Sequence, residues 1–443
     1  MTQKSNAVVV GAGVVGLTAA FLLQQKGFEV TLLDSADQPG GLMRSKYSPF
    51  GDFDYGTHVG VATGEALLDD FLYQHEQLDL VKFNIGKSGN FYNHQLSEIS
   101  PFLNLNHLDK DDYQGLALSL LQPQIGAHIH NLEDKFISLY GEAVFHRVIE
   151  PVVNKYFGLP AKKISASAYA FFDMNRLVSF DAETTQRLKQ VPEYDNCLGF
   201  HGATSGADKY YPSSGGIGAW YQALLDKTIA CGVKYLGNCQ VSAVNTLKSK
   251  IVGVQTNLGD FTCQQFIWAV PSPLLGHLLH SKPRVAKPVY RATAIYDFTF
   301  DQPLKSDCYY INVHQPDKLS GRITLYQNLD VKAQREGHFQ VTVEVLQEAG
   351  FDFESRIDDI KLELESIGLI DAKHQCLYES VQPLNQGFPI ISTETEQSVV
   401  SLNKALLHTF DNLALLGRGN CQGFFMSSLL LQAFEQCNEM EPV

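Results

Sequence analysis

The sequence predicts an α/β fold in which a Rossmann-type domain is interleaved with a domain of mixed β-sheet and helices. Three observations predict it. An apolar strand, a glycine turn and an apolar helix open the chain, and a second strand ends in an acid about 20 residues on. A strand, a glycine turn and a helix start recur near the C-terminus. The residues between them switch from helical to β patterning, with no internal repeat or low-complexity tract.

The first unit reads residue by residue. Residues 6–10 (Asn-Ala-Val-Val-Val) form a buried strand, and Gly11-Ala-Gly13-Val14-Val15-Gly16 is the turn. Gly11 permits the tight exit from the strand, Gly13 lets a pyrophosphate approach the backbone, and Gly16 lets the helix pack on the strand. Residues 17–25 continue the helix, whose N-terminus offers free N–H groups and about half a positive charge to phosphates. Residues 28–33 form the second strand. It ends in Asp34, placed to take ribose hydroxyls. Gly40, Gly41, Leu42 and Arg44 follow, and Phe53-Asp-Tyr-Gly-Thr57-His58 closes the set.

Residues 65–190 read as mostly helical, over 65–75, 111–121, 125–140 and 142–156, with Pro123 and Pro151 as punctuation. No phosphate loop or metal cluster stands there, so this stretch is expected to cover or shape a pocket. Tyr211-Pro-Ser-Ser-Gly-Gly216 is a turn leading into a helix over 219–231. Alternating patterns predict short strands over 234–236, 240–246, 251–256 and 265–270, stopped by Pro271 and Pro273. A second β-rich stretch covers 292–300, 309–313, 322–326 and 339–344, followed by a helix over 355–367.

Near the C-terminus, residues 412–416 read as a buried strand, Gly417-Arg418-Gly419 as a sharp turn, and residues 423–437 as an apolar helix. A second helix start beside a glycine turn suits a cofactor larger than a nicotinamide dinucleotide, closed over by both ends of the chain. The predicted division is 1–75, 206–285 and 405–443 for the cofactor domain, with 76–205 and 286–404 for the substrate domain.

Composition narrows the class. At 443 residues the chain is too long for one simple core. A net charge of −14 without any basic block argues against a nucleic-acid partner, which needs a Lys/Arg face, and against an anionic membrane surface. The eight cysteines form no CxxC pair, so no zinc motif is expected and reduced thiols are. Residues 7–23 are uncharged, but three glycines at βαβ spacing would break a spanning helix there, so no transmembrane segment and a cytoplasmic location are expected.

Taken together, these segments resemble the FAD-dependent amine oxidase superfamily, most nearly its protoporphyrinogen-oxidase-like and UDP-galactopyranose-mutase-like branch. The matches are Gly11-x-Gly13-x-x-Gly16, Asp34, Gly40-Gly41-Leu-Met-Arg44, Phe53-Asp-Tyr-Gly-Thr-His58, Tyr211-Pro-x-x-Gly-Gly216, Gly387-Phe-Pro389 and Gly417-Arg418. The resemblance implies a glutathione-reductase-like FAD domain with non-covalent FAD. Gly40, Gly41 and Arg44 would wrap the pyrophosphate and ribityl chain, and Gly56-Thr57-His58 would run beside the flavin ring. Val241 would bond adenine through its backbone, Arg418 would neutralise pyrophosphate, and Met426 would present its N–H to the flavin O2 edge. Phe424 and Phe425 could flank the substrate face or pack in the core. Two departures stand out. Asp34 stands where most relatives carry Glu, which keeps the acid at shorter reach. Leu42 stands where many amine oxidases carry Arg, with Arg44 coming later, which favours the protoporphyrinogen-oxidase-like and mutase-like branch.

Single residues leave alternatives open. His58 could transfer a proton or serve through its backbone, and the backbone role is preferred. Arg322 and Glu344 could line the pocket or form an ordinary cross-strand pair. Asp52 and Asp54 resemble a carboxylate pair, though a solvated turn is the modest reading. Cys421 reads as a spectator thiol. The function expected is hydride transfer from a small-molecule substrate to FAD, with no catalytic acid or base assigned. A redox-neutral flavin mutase acting on a sugar nucleotide and a non-catalytic FAD-binding protein are the alternatives.

Overall fold

Strands from three distant stretches of the chain lie side by side in one parallel sheet. Their order is Lys234–Leu236, Glu29–Leu33, Asn6–Val10, Gln265–Trp268 and Leu413–Leu415. The structure, a computed structural model, describes residues 5–83, 87–122, 128–202, 206–282, 284–329, 337–421 and 423–442, with backbone alone at 385 and 386. Strands this apolar are stable only when both faces are covered. Helices Val14–Gln25, Gly216–Ala230 and Met426–Asn438 cover one face, where Leu17, Phe21, Leu32, Trp220, Ile267 and Leu430 form a continuous core. A three-stranded antiparallel meander, Val241–Leu247, Lys250–Thr256 and Gly259–Thr262, packs with the opposite face through Val8, Phe266 and Trp268. Full burial of each such Leu or Phe is worth about 2 kcal/mol.

A seven-stranded mixed sheet forms the second layer system. Its order is Cys376–Ile390, Val289–Phe300, Phe339–Gln347, Ser320–Leu325, Tyr310–Val313, Ser88–Tyr92 and Gln95–Ser97. One face packs on helix Ile357–Ile367 through Ile311, Val341, Val343 and Leu364. At the other, Leu346 and Ile390 join a helical core built from Phe136, Val148, Tyr156 and Phe171. Pro383 and Pro389 are tolerated in the 15-residue strand because it is an edge.

The structure departs from the sequence pattern in four places. Leu80–Phe83, Ser88–Tyr92, Gln95–Ser97 and Leu103–Asn104, expected within a helical stretch, are strands. Ser88–Tyr92 and Gln95–Ser97 are joined by a two-residue turn at Asn93 (φ 47°) and His94 (φ 59°), the left-handed pair that tight hairpins use. The helix expected over 125–140 starts at Leu132, capped by Asn131, whose side chain accepts the Asp134 N–H; Pro123 and Ile125 lie outside the described residues. The helix expected over 142–156 breaks into Glu142–Val144, a π-turn and Glu150–Phe157, where Pro151 supplies no N–H to the ladder. Strand Cys376–Ile390 and helix Thr393–Thr409 were not anticipated.

Candidate functional site

The glycine turn is built as the spacing predicts. Gly11 has φ +101°, and a Cβ there would meet Val270 Cγ1 at 2.7 Å. A Cβ on Gly16 would lie 1.9 Å from the Gly11 carbonyl oxygen, so the helix rests directly on the turn backbone. Gly13 is different: nothing stands within 4 Å of where its Cβ would be. It is also the cap residue of helix Val14–Gln25, which has no side-chain cap and no acid in its first turn. Val14 is half-buried and Val15 buried. The turn therefore presents uncapped N–H groups to open space. Asp34 braces it, one carboxylate oxygen accepting the Ala12 N–H at 2.6 Å and the other the Ala36 N–H at 2.8 Å.

Gly40 pairs with Gly13 as an isolated parallel bridge, which brings Gly41, Leu42 and Arg44 beside the turn. Arg44 Nε donates to the Gly41 carbonyl at 2.9 Å, and its guanidinium lies 5.2 Å over the Tyr55 ring. Gly56 (φ +116°) leaves no room for a side chain, because Glu344 carboxyl atoms stand 3.0–3.1 Å from its would-be Cβ. Glu344 Oε1 accepts the Thr57 N–H at 3.1 Å and lies 3.2 Å from Arg322 Nε. Arg322 and Glu344 thus do both things the sequence left open: they are cross-strand partners and they line the cavity described below. The His58 Nε2 is buried without a hydrogen-bond partner among the described residues. Burial, with the positive charge of Arg322 next, holds its pKa down at about 4, so the ring is neutral near pH 7.

Asp54 corrects an expectation. It is buried, not in a solvated turn, and accepts from Ser45 Oγ (2.6 Å), Tyr211 OH (2.8 Å) and the Ile217 N–H at the start of helix Gly216–Ala230 (2.9 Å). Burial pushes its pKa up to about 7 despite those three donors. Asp52 is only half-buried.

From the C-terminal side, strand Leu413–Leu415 leads to Gly417 (φ +87°) and Arg418. The Arg418 guanidinium lies 4.1 Å over the Phe424 ring and 5.5 Å over the Phe171 ring, with no carboxylate in ion-pair reach among the described residues. Burial, with the like charge of Arg322 second, lowers its pKa to about 10. Cys421 lines the same wall, and burial pushes its thiol up to about 11, so it stays protonated. Helix Met426–Asn438 begins after an exposed Phe425, without a side-chain cap.

These pieces enclose a cavity of about 610 Å³ between the seven-stranded sheet and the glycine-turn unit. Gly41, Leu42, Arg44, His58 and Arg418 line it. Gly11, Gly13, Gly16 and Asp34 form the adjoining turn. Thr57 is anchored by Glu344 behind the lining. Val241 stands apart, on the meander, two residues beyond the Cys239 N–H that donates to the Asp34 carbonyl at 2.8 Å. Phe425 and Met426 flank the second helix start outside the lining. Sequence reasoning missed Tyr55, although it lies inside the Phe53–His58 run, and Phe172, for which the sequence carries no local signal. Among the described residues no cluster of three or more His, Cys, Asp or Glu could hold a metal, and no helix is long and apolar enough to cross a membrane.

Residues 9–72 match the family described as an NAD(P)-binding Rossmann-like domain. Hydroxyneurosporene desaturase of Rubrivivax gelatinosus is 62% identical over 42 residues, a match covering 10% of this chain and 8% of that protein. The shared stretch is thus under a tenth of the curated relative's length. Reduced UDP-galactopyranose mutase superimposes with a TM-score of 0.77 at 18% identity, covering 98% of this chain and 95% of that one. A protein of Exiguobacterium sp. 255-15, provisionally described as a protoporphyrinogen oxidase, superimposes with a TM-score of 0.70 at 16% identity over 99% of both chains. At such identities the superpositions establish a shared fold. The class is a mixed α/β protein with a Rossmann-like domain and the fold of FAD-dependent oxidases and mutases. The sequence match, the domain match and both superpositions fit the FAD-dependent amine-oxidase-like superfamily.

Proposed function

We propose that this chain is an FAD-dependent oxidoreductase that holds its cofactor non-covalently and oxidises an apolar small-molecule substrate. The observation that carries the proposal is Gly13: a backbone position with open space in front of an uncapped helix end, bridged to Gly40 at the edge of an apolar cavity. A phosphate fits such a place and a side chain would obstruct it.

In this reading, residues 1–75, 206–285 and 405–443 hold the cofactor, and 76–205 with 286–404 shape the substrate side. Gly11, Gly13, Val14, Val15 and Gly16 cradle pyrophosphate, assisted by Gly40, Gly41, Leu42 and Arg44. Asp34 keeps lone pairs for ribose hydroxyls beyond the two N–H groups it accepts. The Val241 backbone borders adenine. Thr57 and His58 flank the flavin ring, with Thr57 held in place by Glu344. The start of helix Met426–Asn438, entered through Gly417, Arg418 and Phe425, directs a positive dipole at the flavin edge. Bound FAD supplies the hydride-accepting chemistry. The chain supplies orientation and a water-poor enclosure, and neutral His58 keeps one ring nitrogen free to accept a hydrogen bond.

The lining weighs against the mutase alternative. A sugar nucleotide needs many polar partners, and the wall away from the glycine turn offers Val285, Pro288, Ile295, Leu384 and Ile391 instead. Anaerobic addition of candidate substrates to the yellow protein tests the reading. An oxidoreductase bleaches and recovers when an electron acceptor is restored. A mutase turns over only after prior reduction, and a binding protein does neither. Failure to take up FAD would sink all of these readings.

A further inference from the structure

We propose that the cavity takes a substrate with an apolar body and one carboxylate, and that the guanidinium groups of Arg418 and Arg322 receive that carboxylate together. The inference rests on the flavin-site reading above and adds the substrate class to it.

The charged lining residues are Arg44, Arg322, Glu344 and Arg418, while His58 is neutral near pH 7. Arg44 has its Nε committed to the Gly41 carbonyl, beside the exposed Leu42. Glu344 is the one carboxylate of the lining, and it is shared between Arg322 Nε and the Thr57 N–H. The Arg322 Nε lies within ion-pair distance of it yet has no aligned hydrogen bond. Arg418 has less still. Among the described residues no acid lies within reach of it and no acceptor takes its N–H groups. The rings of Phe424 and Phe171 attract its charge through their faces. They leave the edge of the guanidinium, where its five donors point, without acceptors.

A guanidinium does not escape burial by losing its proton, so the fold holds a charged and unmet group at this wall. The charge of Arg322, itself held in place by Glu344 and Asp173, adds repulsion at Arg418. An anion between them relieves the repulsion and fills both donor forks, which match the bidentate geometry of a carboxylate. Of the three arginines in the lining, only Arg322 faces a carboxylate, and Arg44 has a backbone acceptor. Arg418, with no acceptor among the described residues, is the one that calls for a negative charge from the ligand. The remaining wall, from Pro271 and Pro273 to Phe388 and Val399, is mostly apolar, with Tyr290, Thr293 and Thr395 as its polar members.

The test titrates the flavin-loaded protein, its flavin content read first from absorbance, with dodecanoate, dodecyl phosphate and dodecan-1-ol by calorimetry. Dodecanoate is expected to bind at least about tenfold more tightly than the alcohol. Arg418→Gln should lose about that factor for dodecanoate and nothing for the alcohol, and Arg418→Lys should recover part of it. Equal binding of acid and alcohol overturns the proposal, as does unchanged dodecanoate affinity in Arg418→Gln or a preference for the phosphate. A shifted flavin reduction potential in Arg418→Gln with unchanged dodecanoate affinity overturns it too, and assigns the charge to the flavin. Should the wild-type chain hold no flavin, the cofactor reading fails, and the same titration of the flavin-free chain still decides the carboxylate site.

Discussion

Glu344 lies directly across from Arg322 in the antiparallel pairing of Phe339–Gln347 with Ser320–Leu325, and its Oε1 stands 3.2 Å from Arg322 Nε and 3.1 Å from the Thr57 nitrogen. One carboxylate therefore ties the large sheet to the Gly56-Thr57-His58 run. Glu344→Gln keeps the shape and can still accept the Thr57 N–H, but it leaves Arg322 without its counter-charge. Both groups retain some solvent contact, so the expected cost is about 1–3 kcal/mol, below that of breaking a fully buried pair. Urea unfolding of the variant measures it, and an unchanged midpoint would remove the pair from the account of stability.

Two glycines three residues apart are predicted to fail in different ways. Gly16→Ala drives a methyl group into the Gly11 carbonyl, 1.9 Å away, where only backbone can yield. It should lower the melting temperature by several degrees or prevent folding, as a loss of about 2 kcal/mol or more would. Gly13→Ala meets nothing in the protein, so its stability should stay within about 0.5 kcal/mol of the parent. Its FAD affinity should nonetheless fall at least about tenfold, because the methyl occupies the phosphate approach. Parallel melting curves and flavin titrations check the pair. Equal FAD affinity in Gly13→Ala would displace the phosphate from this turn.

Two buried groups should give opposing pH dependence. The Asp54 carboxyl is raised from 3.8 to about 7 by burial, so the folded state binds its proton more tightly than the unfolded chain does. Its contribution to stability is present in full below about pH 4 and is lost as pH rises toward about 7. His58 is lowered from 6.5 to about 4 by burial and by Arg322, so its contribution is present above about pH 6.5 and is lost as pH falls toward about 4. The slopes partly cancel in the parent protein. Asp54→Asn should unmask the His58 slope, with stability falling on acidification from pH 6.5, at no more than about 1.4 kcal/mol per pH unit. His58→Gln should unmask the opposite slope. Unfolding free energies measured from pH 4 to 8 decide this, and two variants with parallel profiles would rule out one or both assignments.

The glycine turn was legible because each glycine answers a constraint set within a few residues. The Rossmann-like sheet followed from it. Asp54 was misread because its partners, Tyr211 and Ile217, stand far along the chain, and only the docking of helix Gly216–Ala230 buries it. Strand Cys376–Ile390 was hidden by two prolines that an edge strand tolerates. Arg322 and Glu344 were weighed as either lining residues or a cross-strand pair, and the pleat makes them both. Phe172 had no local signature at all, since what places it is an elbow held by tertiary contacts.

That elbow supports the last prediction. Phe172 and Asp173 both have φ +54°, a left-handed conformation that costs roughly 1 kcal/mol or more at a residue with a side chain. The surrounding structure holds it. Asp173 Oδ2 accepts from Tyr310 OH at 2.9 Å and from Asn312 Nδ2 at 2.7 Å. The Phe172 ring stacks on Tyr156 with centroids 3.9 Å apart and lies under Arg322, 5.4 Å from its guanidinium carbon. Asp173→Ala removes the restraint and keeps the strain, so it should cost about 2–3 kcal/mol and loosen the cavity wall at Phe172. Tyr310→Phe removes one of the two donors and should cost about 1 kcal/mol. The double variant should cost less than the sum, by about 1 kcal/mol, because the hydroxyl no longer restrains the elbow once the carboxylate is gone. Strict additivity in that cycle would mean that the Tyr310–Asp173 contact does not restrain the elbow.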